Sequence, residues 1–142
     1  MHNTIKNLIN IEEQIKSVSN VIKLPKIIAV SKTFKLDKIL PLIEYGHKDF
    51  GENKVQEAME KWTKIKETNR NIQLHLIGKL QSNKVKYAVK LFDYIHSVDS
   101  EKIAEKISKE QIKLNKSIKL FIQVNIGAED QKSGINKNEI DS

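Results

Sequence analysis

The sequence predicts an α/β protein in which an N-terminal helix precedes five parallel strands, with four helices between the strands. Short apolar runs of strand length alternate strictly with longer segments that have helical periodicity. The first of these runs, "IIAV", is continuously apolar, which is typical of a strand buried on both faces. Strict alternation predicts a parallel sheet with right-handed crossovers. The pattern leaves two architectures open, a doubly wound open sheet and a part of a (β/α) barrel.

The first half of the chain contains two predicted helices and two predicted strands. The N-terminal segment is predicted to be an amphipathic helix because apolar residues recur at helical spacing, at Ile5, Leu8, Ile15 and Val18. Pro25 interrupts this helix, and the strand "IIAV" follows. A second helix over 35–46 ends at Gly46, and Pro41 inside it predicts a kink or a division. "HKDF" is a very short strand candidate.

The second half continues the alternation. Helices are predicted over 52–67, 82–92 and 99–115, the last capped by Asp99. The strands between and after them are "NIQLHLIG", "YIHSV" and "SIKLFIQVNIG". After Gly127 the chain is polar and without pattern, and "AEDQKSG" is either a mobile loop over a site or an ordinary surface loop.

Composition and charge exclude several classes of protein. The net charge is +7, but the basic residues are spread along the chain and Arg70 is the one arginine, so we do not expect a nucleic-acid partner. No apolar run approaches the about 20 residues that span a bilayer, and the N-terminus lacks the apolar core of a signal peptide. We therefore expect no membrane partner and a cytoplasmic location. The absence of cysteine and the wide spacing of the four histidines argue against a metal site.

Polar residues follow the predicted strands, at the rim where parallel α/β folds bind ligands. The sequence has neither a glycine-rich dinucleotide motif nor a phosphate-binding P-loop. Lys32 ends the first strand, within "AVSKT". A lysine at the edge of a pocket can lose its charge by desolvation and form a Schiff base with a carbonyl compound, which includes pyridoxal phosphate. In a chain so rich in lysine, position alone makes Lys32 a weak candidate.

Five motifs in register strengthen that candidate. "AVSKT", "FGENKVQEAMEK", "HLIGKLQSNK", "IHSVD" and "FIQVNIGAEDQKSG" occur in this order, from about residue 26 to residue 134. Together they resemble the pyridoxal-phosphate homeostasis protein family, also called the alanine racemase N-terminal-like family. The resemblance implies a single pyridoxal-phosphate-binding barrel domain over residues 1–142.

The resemblance also assigns roles to residues of this chain. It implies that Lys32 forms the Schiff base with pyridoxal 5′-phosphate and that Asn53 lines the cofactor. It further implies a place around the cofactor's ring for His75, Gly78 and Asn125. The family is regarded as a regulator of the vitamin B6 pool without catalytic turnover, and we expect a monomer in the complete protein. The alternative is an amino-acid racemase-like enzyme, which would need a second acid/base group on the other face of its substrate.

The chain departs from the family in length. A complete barrel needs about 200–250 residues. In the family, the phosphate-binding serine and threonine and an Arg-Ile-Gly motif come after the position equivalent to Ser142, and Arg70 should lie on the opposite rim. We therefore expect an incomplete barrel, a fragment, with unpaired edge strands and weaker cofactor binding than a complete relative has.

Several site residues also have a purely structural interpretation. Asn53 could be a helix N-cap, and His75 could be a core histidine with one hydrogen-bond partner. Glu52 could simply favour the positive end of a helix dipole. Alternation along the last strand places Asn125 opposite the apolar residues that would face the helices, which are Ile118, Leu120, Ile122 and Val124.

Overall fold

A parallel sheet of five strands organises the computed structural model, which describes residues 1–18, 20, 23–127 and 134–136. The sheet strands are β1 (Ala29–Val30), β2 (Asp49–Glu52), β3 (Gln73–Leu76), β4 (Tyr94–Val98) and β5 (Lys119–Ile122). The helices are α1 (Asn3–Val18), α2 (Leu36–Tyr45), α3 (Val55–Thr68), α4 (Val85–Leu91) and α5 (Glu101–Leu114). A 3₁₀ turn over Ser82–Lys84 leads into α4. The predicted α/β class, with an N-terminal helix and four intervening helices, is confirmed.

The order of the strands decides between the two architectures that the sequence left open. Each strand pairs in parallel with the one before it, in the order β1-β2-β3-β4-β5. In a doubly wound sheet the order in which strands are added reverses at a switch point. In a barrel each new strand is added on the same side of the one before it. The sheet therefore has the topology of a partial (β/α) barrel, and β1 and β5 are its two edges.

The hydrophobic core lies between the sheet and the helices. Alternate strand residues point to this layer and are buried there, including Phe50, Leu74 and Ile95. Trp62 of α3 is fully buried and packs on Phe50, with 4.9 Å between the ring centres. The other face of the sheet, which would be a barrel's interior, carries polar side chains instead. This separation leaves the inner face and the rim free for a ligand.

Three local predictions differ from the structure. Pro41 lies inside α2, which continues through it as one helix of 10 residues, so the predicted division does not occur. The α5 N-cap is Ser100, whose Oγ accepts a hydrogen bond from the Ile103 amide at 3.2 Å, and not Asp99. In the described residues at the C-terminal end, the predicted last strand is two strands, because the backbone leaves the main sheet at Gln123.

A second, two-stranded sheet follows that break. Its strands are β6 (Val124–Asn125) and β7 (Ile135–Asn136), which pair in parallel. No sequence pattern predicted β7, because its two residues stand in a polar segment. Residues 128–133 of the predicted loop lie outside the described residues. None of the helices in the described ranges is long and apolar enough to cross a membrane.

Candidate functional site

Lys32 lies in a turn at the carboxyl end of β1, exposed to solvent. The preceding residue, Ser31, is buried and still bonded to β2, its amide donating to the Gly51 carbonyl at 2.9 Å. The following residue, Thr33, has a φ of +66°. Positive φ is uncommon for a β-branched residue and marks a backbone that its surroundings hold in place.

Asn53 and Gly78 lie in direct contact at the same rim. Val30 pairs with Gly51, and Lys32 and Asn53 each come two residues after that pair, beyond the carboxyl ends of neighbouring strands. A methyl group added at Gly78 would overlap the Asn53 backbone carbonyl and side-chain oxygen. Only glycine permits this approach. Two of the predicted site residues are therefore packed together beside the turn that carries Lys32.

The rim beside Asn53 is positively charged. A cavity of about 430 Å³ opens there, lined by Asn53, Lys54, Val55, Gln56, Lys79, Gln81 and Lys84. Its three lysines favour an anionic ligand over a cationic one. Asn53 is not the N-cap of α3, since Lys54 holds that position. The structural interpretation of Asn53 as a cap is therefore wrong.

His75 lies one layer below the rim, on the inner face of β3. It is 1% exposed, and its ring stacks on Tyr94 with 4.1 Å between ring centres. Its Nε2 lies 2.9 Å from Asp49 Oδ1, and its Nδ1 lies 2.9 Å from His96 Nε2. Burial lowers the pKa of His75 even though Asp49 opposes that effect. Both ring nitrogens are thus engaged within the chain, and contact between His75 and a cofactor stays a prediction.

The inner face continues as a polar and aromatic cluster around Tyr94. Lys26 donates to the Tyr94 hydroxyl at 3.1 Å and Lys119 approaches it at 3.4 Å. Hydrogen bonding from Lys26 lowers the pKa of Tyr94, and the same bond raises the pKa of Lys26. Burial, with the neighbouring His75 ring, lowers the pKa of His96. These contacts tie the layer beneath the rim together and engage the amines of Lys26 and Lys119 with the Tyr94 hydroxyl.

Asn125 does not belong to the five-stranded sheet. It lies in β6, beyond the break at Gln123, and pairs with Asn136 of β7. Phe121 of β5 stacks on His96 at 4.7 Å, so odd-numbered β5 residues do face inward as alternation predicts. The alternation of β5 does not predict which way Asn125 faces, because Asn125 lies in a different sheet beyond Gln123. A contact between Asn125 and the cofactor therefore stays a prediction.

Sequence reasoning missed a buried charge network behind the Lys32 turn. Glu52 is 0% exposed, and its Oε1 accepts hydrogen bonds from Ser31 Oγ at 2.9 Å and from Trp62 Nε1 at 2.8 Å. Lys61 of α3 binds the same oxygen at 2.8 Å. Lys61 also donates to the Ser31 carbonyl at 2.7 Å and to Glu57 at 3.2 Å. Glu52 therefore does more than favour a helix dipole.

Glu57 connects this network to the far side of Lys32. Its Oε1 accepts a hydrogen bond from the Thr33 amide. Burial would raise the pKa of Glu57, but the bonds from Thr33 and Lys61 outweigh it, so the pKa lies below its ordinary value. The spacing of Glu57 and Lys61 signals an i,i+4 ion pair in the sequence. Nothing in the sequence signals their reach to the β1 turn.

The fold and rim define a partial (β/α) barrel with an exposed lysine at the end of its first strand. The family model for the N-terminal domain of alanine racemase matches residues 7–142, and the chain belongs to this family. A pyridoxal phosphate homeostasis protein of Pasteurella multocida is 37% identical over 139 residues, which are 95% of this chain and 60% of that protein. The homologue of the same description in Buchnera aphidicola is 44% identical over 110 residues, 78% of this chain and 48% of the other.

Solved structures show the same family relationship. PipY of Synechococcus elongatus without pyridoxal phosphate is 36% identical, with a TM-score of 0.81 over 95% of this chain and 60% of that one. The form with pyridoxal phosphate bound has a TM-score of 0.76 at 36% identity, over 92% of this chain and 57% of PipY. The resemblance found in the motifs is thus confirmed. The chain spans about 60% of the length of its relative in Pasteurella multocida.

Proposed function

We propose that this chain binds pyridoxal 5′-phosphate through Lys32 and serves in the homeostasis of that cofactor, without catalytic turnover. The observation that carries the proposal is the placement of Lys32, an exposed primary amine that follows β1 at the rim where Asn53 contacts Gly78. The names of the relatives and the cofactor-bound form of PipY support the same ligand.

The residues present fit the aldehyde end of the cofactor. Lys32 would hold the cofactor through its amine, and the cofactor would supply an aldehyde able to condense with that amine with loss of water. Asn53 offers an amide donor and acceptor at the same rim, and the missing side chain of Gly78 leaves the room in which Asn53 packs. Arg70 lines a cavity of about 440 Å³ with Gly46 and Lys48, at the amino ends of the strands, so it cannot hold the phosphate.

The regulatory role is preferred to the racemase-like alternative because of the residues around Lys32. A racemase needs a second acid/base group on the opposite face of the substrate. Among the described residues, the buried His75 lies one layer below the rim with both of its ring nitrogens engaged within the chain, so it is not placed to serve as that group. Monomeric state and cytoplasmic location stay predictions.

The test is reconstitution with pyridoxal 5′-phosphate followed by visible absorption. We expect a band that the protein alone lacks, that Lys32→Ala abolishes and that Lys35→Ala retains. Lys35 is a matched control because it is an exposed lysine of the same turn whose side chain makes no cap bond. A band that survives Lys32→Ala would refute the assignment, and turnover of an added amino acid would favour the racemase-like alternative.

A further inference from the structure

The backbone on both sides of Lys32 is held by charged side chains of α3. Lys61 donates to the carbonyl of Ser31, on one side, at 2.7 Å. Glu57 accepts from the amide of Thr33, on the other side. The Lys61 side chain is 9% exposed, so its bond to Ser31 forms in a largely dry environment, where charge-assisted bonds are strong. The direction in which the Lys32 side chain points from the backbone thus depends on α3.

The turn needs such support because of its conformation. Thr33 is left-handed, at φ +66°, which a β-branched residue adopts only when its surroundings impose it. The Thr33 hydroxyl donates to the Lys32 carbonyl at 2.6 Å, which ties the turn locally. The amide of Thr33 would be free to rotate away from this conformation if Glu57 did not accept its hydrogen bond.

We propose that Glu57 and Lys61 are positioning residues that hold Lys32 in the orientation in which its amine meets the cofactor's aldehyde. The inference rests on the proposed function, because it gives Glu57 and Lys61 of α3 a role in cofactor binding at Lys32. Lys61 is shared between Glu52, Glu57 and the Ser31 carbonyl, so one ammonium group links the buried network to the turn. The residues act through the backbone of Lys32 and do not touch the ligand.

The competing explanation is that the charges only stabilise the packing of α3. Glu57 separates the two explanations best, because its side chain is 29% exposed and it is not the sole partner of a buried charge. Glu60→Ala is the matched control. Glu60 is an acidic residue of the same helix, exposed and paired with Gln56, and it makes no bond to the turn.

The experiment compares four proteins: the unaltered chain, Glu57→Ala, Glu60→Ala, and the double variant Glu57→Ala/Thr33→Asn. Pyridoxal 5′-phosphate is titrated and the visible band measured, and borohydride reduction followed by mass spectrometry gives the fraction trapped. Urea unfolding is recorded in parallel. Asparagine tolerates positive φ better than threonine, so it should restore the turn without restoring the bond to Glu57.

We expect Glu57→Ala to weaken binding about tenfold, the equivalent of one hydrogen bond to a charged group, while Glu60→Ala binds as the unaltered chain does. The double variant should recover most of the loss, which a purely structural role would not produce. Equal binding by Glu57→Ala and the unaltered chain, or no recovery in the double variant, would overturn the positioning role and leave the proposed function standing. Absence of the band in the unaltered chain would instead refute the proposed function.

Discussion

Replacing Gly78 by alanine should damage both the stability and the ligand site. The added methyl carbon would overlap the Asn53 carbonyl and side-chain oxygens and lie 2.7 Å from Asn53 Cγ. Since one of the overlapped atoms belongs to the backbone, a rotamer change cannot relieve the clash. Overpacking costs typically 1–3 kcal/mol, and we expect about 2–3 kcal/mol here. The Gly78 carbonyl also accepts a bond from Ser97 Oγ at 2.7 Å, which resists any shift of the strand end.

Urea unfolding followed by the fluorescence of Trp62, the one tryptophan, measures this cost. With an m-value of about 2 kcal/mol/M, the midpoint should fall by about 1–1.5 M. Gly51→Ala is the control, because its methyl carbon would lie 3.1 Å from Ile28 Cγ2 and 3.3 Å from Ile77 Cδ1, which are tight contacts with side chains and not with the backbone. We expect that variant to lose about 1 kcal/mol, which is less than the loss in Gly78→Ala. If Gly78→Ala unfolds at the same urea concentration as the unaltered chain, the close packing of Asn53 on Gly78 is wrong.

Three further outcomes follow from single contacts. Ser100→Ala should lower the free energy of unfolding by about 1 kcal/mol and Asp99→Ala should leave it nearly unchanged, as measured by urea unfolding; the reverse result would return the α5 cap to Asp99. The pKa values of His75 and His96 lie below their ordinary 6.5 because of burial, so the unfolded chain binds protons first and stability should fall as the pH drops below about 6.5. His96→Gln should make that fall shallower by up to about 1.4 kcal/mol per pH unit, and an unchanged slope in urea midpoints would contradict the assignment. Trp62→Phe removes a hydrogen bond to a buried carboxylate and should cost about 1–3 kcal/mol by circular dichroism melts, whereas an unchanged midpoint would show that this bond contributes nothing.

The sequence predicted the five helices and the five strands of the main sheet, but periodicity alone predicted neither the strand order nor β7. Helical spacing located α3 and α4 closely, because their apolar stripes face the sheet and repeat every three to four residues. Strand order has no such signature, since alternation of strands and helices is common to barrels and doubly wound sheets. The break at Gln123 was also invisible, because "KLFIQVN" has one uninterrupted strand pattern and only pairing partners reveal that its two halves lie in different sheets.

The same limit applies to the site. Lys32 and Gly78 could be named from short motifs, since residues at strand ends gather at one rim in any parallel α/β fold. The contact between Gly78 and Asn53 could not, because it depends on the relative height of β2 and β3. The Glu52, Glu57 and Lys61 network also escaped, since periodicity describes which face a residue occupies and not how far a lysine reaches across elements.

The central claim is that one lysine among many forms the covalent bond to the cofactor. Of the 25 basic residues in the chain all but Arg70 are lysines, so non-specific reaction would modify many of them. The direct measurement is borohydride trapping of the chain with a small excess of pyridoxal 5′-phosphate, followed by proteolysis and peptide mass mapping. We predict that the label lies almost entirely on the peptide containing Lys32. A label spread over the exposed lysines, or concentrated on another one, would contradict it.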